Sequence, residues 1–380
     1  MRVSRCVYRI VQSCPRLDRR VVETLCCCVE AVICSGRLSV TAMGRALRSA
    51  TSARHRIKRV DRLVSNRGLQ CHLLELYRCL AARVIRCQRP VLLLDWSKLA
   101  HDHWVLTAAA ALDGRCVPLL SVVRSERWLG TKHAHTQFLQ QLQDVLPDGC
   151  RPVLVVDAGF LTPFYQAVER LGWHYVGRLD ANTRLRLQPR ARWQSSRQLH
   201  ELATTVAQDY PQAWLRESDP MALRLVVGKK PRRKRHSHRR SRNGSERKAR
   251  RRADRPWLLV TNLESSTAEQ IVGIYRLRMQ IEQWFRDTKN DRFGWALRQT
   301  RCTSRLRLQV LLLLAALATC QVLLAGLQAE AQQLHRRLQA SSRRHRRWLS
   351  LAYLGQLALR QGLLHSQASP PPLPIHALPA

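Results

Sequence analysis

VLLLDW at residues 91–96, directly after Pro90, decides how the middle of this chain is read. Apolar residues crowd around a single acid without helical spacing, which reads as a buried strand that ends at an aspartate. Next come HWVLTAAAAL (103–112) and RCVPLLSVVR (115–124), a hairpin turning at Asp113-Gly114. HTQFLQQLQDVL (135–146) has the spacing of an amphipathic helix, and PVLVVDAGF (152–160) is a second buried strand closing on an acid and a glycine. A helix over TPFYQAVERLG (162–172), a strand over HYVGRLD (174–180), a strand over WLLVTNL (257–263) and a long helix from about Thr267 to Lys289 follow. Strands interleaved with helices predict an α/β sheet with helices packed on it.

Outward from this core the texture changes. Residues 1–88 alternate apolar and basic positions at helical spacing, which predicts a helical region. Within it a short helix from about Thr41, a turn around Ser49 to Ser52 and a second helix have the outline of a helix-turn-helix reader. The second helix carries Arg54, Arg56, Lys58 and Arg59 beside an apolar side of Ile57, Val60 and Leu63; a plain basic helix in a bundle has the same composition, and phosphate contact is expected of both. Residues 182–256 break the α/β pattern and include RLVVG as a strand. Their end, 229–255, holds fifteen Lys and Arg against Glu246 and Asp254, so no core is expected there; it reads as a flexible phosphate-clamping loop, the alternative being a disordered solubilising or nuclear-targeting tract. Val310 to Leu327 approaches the ~20-residue length of a bilayer span, but Thr319, Gln321 and Gly326 favour a buried core helix. HRRLQASSRRHRRW (335–348) is basic again, and SPPPLPIHALPA (369–380) is a proline-rich tail not expected to fold.

The chain has 380 residues, 45% of them apolar, so a core can form and wholesale disorder is excluded. Lys and Arg number 65 against 26 Asp and Glu, a formal net charge of +39. Such a surface repels itself unless a polyanion neutralises it, and nucleic acid is the expected partner. Thirteen cysteines, three of them adjacent at 26–28, show no disulfide or zinc spacing and are expected as reduced intracellular thiols. Arginines throughout the first twenty residues leave no stretch of signal-peptide type, so secretion is not expected.

An aspartate at a strand end is more often a turn or cap residue than a catalyst, so Asp95 and Asp157 carry little alone. IVGIYRLRMQIEQWFRDTKN (271–290) supplies a third acid. Read as one continuous helix at ~100° per residue, it places Tyr275, Arg278, Glu282 and Lys289 within an arc of about 60°. Three carboxylates brought together repel one another and draw divalent cations, and oxygen ligands select Mg²⁺ or Mn²⁺. Two such ions suit in-line phosphoryl transfer, with Arg278, Lys289 and Tyr275 holding phosphates. His101, His103, His133 and His135 flank the first half of the core; metal ligation by His133 and His135 is outweighed by solvated positions at a helix start. Ser97 and Lys98 read as polar residues at a strand exit as readily as a nucleophile pair.

Tyr275, Arg278, Glu282 and Lys289 fill the pattern Tyr-x2-Arg-x3-Glu-x6-Lys, and together with LLLDWS around Asp95, VVDAGF around Asp157 and RHRIKRVDRL at 54–63 they make residues 35–325 resemble the insertion-sequence-4 family of bacterial DDE transposases. The resemblance implies an α/β ribonuclease H-like catalytic core with an insertion, an N-terminal helical DNA-binding region and a helical C-terminus. It divides the chain into 1–88, a core of 89–181 and 257–330, an insertion at 182–256, and 331–380. It implies that Asp95, Asp157 and Glu282 hold two Mg²⁺ or Mn²⁺ ions, and that Tyr275, Arg278 and Lys289 contact terminal phosphates. It further implies that an insertion-domain tryptophan, Trp193 or Trp214, stacks a flipped base. The implied activity is cut-and-paste transposition on double-stranded DNA with terminal inverted repeats, by a homodimer in the bacterial cytoplasm, associated with the nucleoid. The alternatives are a non-catalytic nucleic-acid-binding protein and a simple metal-dependent nuclease.

Overall fold

In the structure, a computed structural model that describes residues 3–12, 14, 16–180, 182–229, 256–291, 294–340, 345–364 and 371–379, the chain divides into two units. One joins Met1–Cys150 with Met279–Ala380, and the other is Arg151–Arg278. The basic run expected to clamp phosphates lies outside the described residues beyond Lys229.

The first unit opens with helices α1 (Val3–Val11), α2 (Arg19–Ser35), α3 (Val40–Ala46), α4 (Ala53–Val64), α5 (Arg67–Cys71) and α6 (Leu73–Val84). Short polar side chains start them: Asp18, Ser39, Ser52 and Asn66 each accept a backbone N–H of the first turn. Helix α2 ends at Gly36, whose φ of 68° suits the left-handed position that terminates a helix. Helices α3 and α4 pack so closely that a side chain at Gly44 would run into Ile57.

Strands β1 (Val91–Lys98), β2 (His103–Ala111) and β3 (Cys116–Ser125) form an antiparallel meander, in which Asp95 stands opposite Thr107. The β2–β3 turn falls at Asp113-Gly114, with Gly114 at φ 76°. Helix α7 (Lys132–Val145) follows, capped by Thr131.

The second unit is built on β4 (Val153–Val156), α8 (Thr162–Arg170), β5 (His174–Arg178), β6 (Arg184–Arg186), β7 (Gln194–Ser195), β8 (Gln208–Leu215), β9 (Met221–Gly228) and β10 (Trp257–Thr261). Its strands lie in the order β4-β5-β10-β9-β8-β6-β7. Among its described strands only β4 and β5 run parallel, as their α8 crossover requires. The expected odd segment thus holds a series of antiparallel strands. Helix α9 (Ala268–Arg276) closes the unit, started by a capping box of Thr267 and Gln270.

One expectation is corrected here. The predicted single helix from Thr267 to Lys289 is two helices, α9 and α10 (Met279–Lys289). At Leu277 and Arg278 the backbone N–H groups reach back only three residues, to Ile274 and Tyr275, so the chain tightens into a turn. Neither proline nor glycine marks the spot. The break accompanies burial of the Arg278 side chain, which is 8% exposed.

The first unit resumes with α10, then α11 (Arg305–Ala331), α12 (His335–Leu338) and α13 (Leu351–Arg360). Helix α11 is apolar on every side and long enough to cross a membrane, but 94% of its apolar window is buried inside the protein. It packs on α2, on β3 and on α13, which makes it the core helix expected from its composition. It crosses α13 at Gly326 and Gly355, where any side chain would strike the opposite backbone.

The proline-rich tail is the second correction. Val91 donates to the His376 carbonyl at 2.8 Å, His376 to that of Ala111 at 2.9 Å, and Leu378 to that of Arg89 at 3.0 Å. Ile375 to Leu378 interrupt the prolines with residues that still carry an N–H, which lets this stretch join the β1–β2 margin.

Candidate active site

In the second unit, the fully buried β4 delivers Asp157 immediately beyond its last residue, Val156. The Tyr275 hydroxyl, at the end of α9, donates to Asp157 Oδ1 at 3.1 Å, and Arg278 Nη1 lies 3.5 Å from Asp157 Oδ2. Tyr275 is itself buried, with its ring edge-on to Trp257 at 5.1 Å. Burial first, and the neighbouring Asp157 charge second, push the phenol far above its usual range, so it stays a proton donor. A phenol, a guanidinium and a carboxylate taken from opposite ends of this unit therefore share one spot.

In the first unit, Asp95 sits where β1 passes from four buried residues to partly exposed ones. Its Oδ1 accepts the Trp96 backbone N–H at 2.8 Å. Helix α10, with Glu282 in its first turn and Lys289 in its last, packs against β1. The Lys289 ammonium donates to Ser97 Oγ at 2.5 Å and to the Lys98 carbonyl at 2.6 Å. Burial and then Arg298 pull the Lys289 pKa down to about 8, against the opposing pull of Asp95. Lys289 and Glu282, two turns apart, share a face of one helix.

The residues expected on one continuous helix face come from two helices and the turn between them. Tyr275 and Arg278 gather on Asp157, whereas Glu282 and Lys289 belong to the separate helix beside Asp95. Among the described residues no group of three or more His, Cys, Asp or Glu is placed to hold a metal ion. The donors on offer are carboxylate oxygens, hard ligands that fit Mg²⁺ or Mn²⁺ and not a softer metal.

On α4, Arg54 and Lys58 are exposed. The other two expected DNA contacts are tethered: Arg56 Nη1 donates to the Leu47 carbonyl at 3.0 Å, and Arg59 Nη2 to Thr24 Oγ1 at 3.0 Å. Trp193 and Trp214 flank one cation, with the Arg186 guanidinium carbon 5.1 and 4.9 Å from their ring centres. Arg186 and Trp214 are register partners on β6 and β8.

His133 is exposed, as expected, and stacks on Trp128 at 5.1 Å. His135 corrects the expectation of a solvated position. It is 4% exposed, and its Nε2 accepts the Trp96 indole N–H at 3.0 Å. An indole nitrogen can only donate, so this imidazole is neutral with its proton on Nδ1. Burial lowers its pKa to about 4. Ser97 acquires a definite job as an anchor for Lys289 in place of a nucleophile's. That contact joins residues too far apart in the chain for local spacing to signal it.

The family described as Transposase DDE domain matches residues 90–319, more than half of the chain. No curated protein matches it.

Proposed function

The chain belongs to the transposase DDE domain family, and on that premise we propose that it is a metal-dependent enzyme of cut-and-paste transposition, of the insertion-sequence-4 type, with a ribonuclease H-like core. Asp95, Asp157 and Glu282 are its metal ligands. Their carboxylates would hold two Mg²⁺ or Mn²⁺ ions, which would supply activation of a water or a 3′-hydroxyl and stabilisation of a leaving oxygen. The observation that carries the reading is the Asp157 cluster, where a guanidinium and a protonated phenol stand against one acid. These are the groups that hold a DNA phosphate beside a site of cleavage.

The chain's own residues divide the work. Arg278 and Tyr275 orient the phosphate at Asp157, and Lys289 does so from α10, with Ser97 and the Lys98 carbonyl fixing its ammonium. Arg54, Arg56, Lys58 and Arg59 mark the N-terminal DNA contact, and Trp193 or Trp214 offers an aromatic face to an extrahelical base. The partners are double-stranded DNA ends bearing inverted repeats and a second copy of the chain, in the bacterial cytoplasm at the nucleoid.

Asp157→Ala tests the assignment. It abolishes Mg²⁺-dependent nicking at element ends while end binding in a gel-shift assay stays within about twofold. Nicking that survives in the variant refutes the assignment. Equal cutting of DNA without element ends favours a simple nuclease.

A further inference from the structure

The first unit contains a cavity of about 500 Å³ that the catalytic reading leaves unused. Its volume falls within the ~300–1,000 Å³ of small-molecule sites. One wall is the side of α10 bearing Gln283, Trp284 and Asp287; Trp295, Trp348 and Arg115 also line the cavity. Trp348 is 52% exposed, an indole face open at the rim. Trp284 is 3% exposed, and its indole N–H has no hydrogen-bond partner. Three indoles in one cavity, of ten in the whole chain, select a flat π-system.

The polar lining says which one. Gln283 Nε2 donates to Asp287 Oδ1 at 3.0 Å, and Arg115 Nε lies 3.4 Å from Asp287 Oδ2. An ionised carboxylate offers about four acceptor positions, so two such contacts leave room for a ligand's N–H groups. One guanidinium and one carboxylate sum to zero charge, unlike the chain at +39, so this pocket has no net attraction for a phosphate. It suits an uncharged ring edge with adjacent N–H donors next to a carbonyl acceptor. Among the nucleobases guanine has that edge, with N1–H and the N2 amino group for Asp287 and O6 for Arg115 or Gln283.

We propose that this cavity is a binding site for a guanine base, stacked on Trp348 and held at its donor edge by Asp287. The base is an unpaired guanine of bound DNA, and a free guanine nucleoside offers the same chemistry. The pocket and Asp157 share no residues, so loss of guanine binding and loss of nicking are separable results.

Calorimetric titration of the full chain with guanosine, adenosine and cytidine tests it, since nucleosides lack the phosphate that the basic surface would attract. Guanosine is expected to bind saturably and at least tenfold more tightly than the other two. Asp287→Asn weakens it at least tenfold. Trp348→Ala, at an exposed position that leaves the melting temperature unchanged, does the same. Duplexes carrying one unpaired guanine or one unpaired thymine then separate the sources: a guanine preference lost in Trp348→Ala identifies DNA, and guanosine binding without that preference identifies the free nucleoside. Equal affinity for all three nucleosides, or guanosine affinity unchanged in both variants, overturns the proposal.

Discussion

The neutral His135 makes acid the sharpest probe of the first unit. The imidazole accepts the Trp96 indole proton from a site that is 4% exposed, and its pKa falls to about 4 from the ordinary 6.5. Between those values the unfolded chain binds a proton that the folded chain refuses, so stability rises with pH across the window and is lost as pH falls from 6.5 towards 4. At ~1.4 kcal/mol per pKa unit, the loss attributable to this residue is about 3 kcal/mol. His135→Gln keeps an acceptor of similar reach and cannot take up the proton. Urea unfolding of both proteins at pH 7.0, 6.0, 5.0 and 4.5 isolates the effect of His135, because the carboxylates common to both cancel in the difference. Wild type is expected to lose about 2–3 kcal/mol more than the variant between pH 7 and 4.5. A difference that stays constant across the series refutes the buried neutral histidine.

Other residues give further tests. Tyr275→Phe removes a hydrogen bond to a charged acceptor, worth ~1.5–3 kcal/mol, and lowers the urea midpoint accordingly; an unchanged midpoint speaks against the Asp157 contact. Gly355→Ala drives a methyl group into the Val322 backbone at the α11–α13 crossing, and thermal melts should show a loss of about 1–3 kcal/mol. Ending the chain at residue 370 removes the partners of Arg89, Val91 and Ala111, so the Val91 amide should exchange with solvent at least tenfold faster, as measured by hydrogen exchange; unchanged protection would mean that the tail does not hold β1.

The strands of the core were legible because VLLL and VLVV are unbroken apolar runs, and Asp113-Gly114 has the residues a tight turn needs; but only β4 stops at its acid, whereas β1 runs on past Asp95 to Lys98, paired with β2 throughout. Both aspartates and the four residues of the 275–289 pattern stand out by type and spacing, and of these the structure joins Tyr275 and Arg278 to Asp157. The break between Tyr275 and Glu282 could not be read, since YRLRMQIE keeps helical periodicity through it, and the long-range Arg278–Asp157 pair that accompanies it has no local signature. The tail misled because its prolines outweighed four residues able to pair. His135 misled for a similar reason: a histidine in a first helical turn looks solvated until an indole from β1 covers it. Roles decided by a partner on a distant element leave no trace in local composition.

The first unit takes its residues from both ends of the chain, and its central helix α11 comes from the later part. During synthesis the apolar flanks of α2 and β3 must therefore wait uncovered while the whole of Arg151–Arg278 is translated, about 6–26 s at ~5–20 residues per second. A ribosome stalled in that interval would present a half-built core to chaperones. The isolated fragment 1–150 should aggregate when expressed alone and be rescued by co-expressing 279–380.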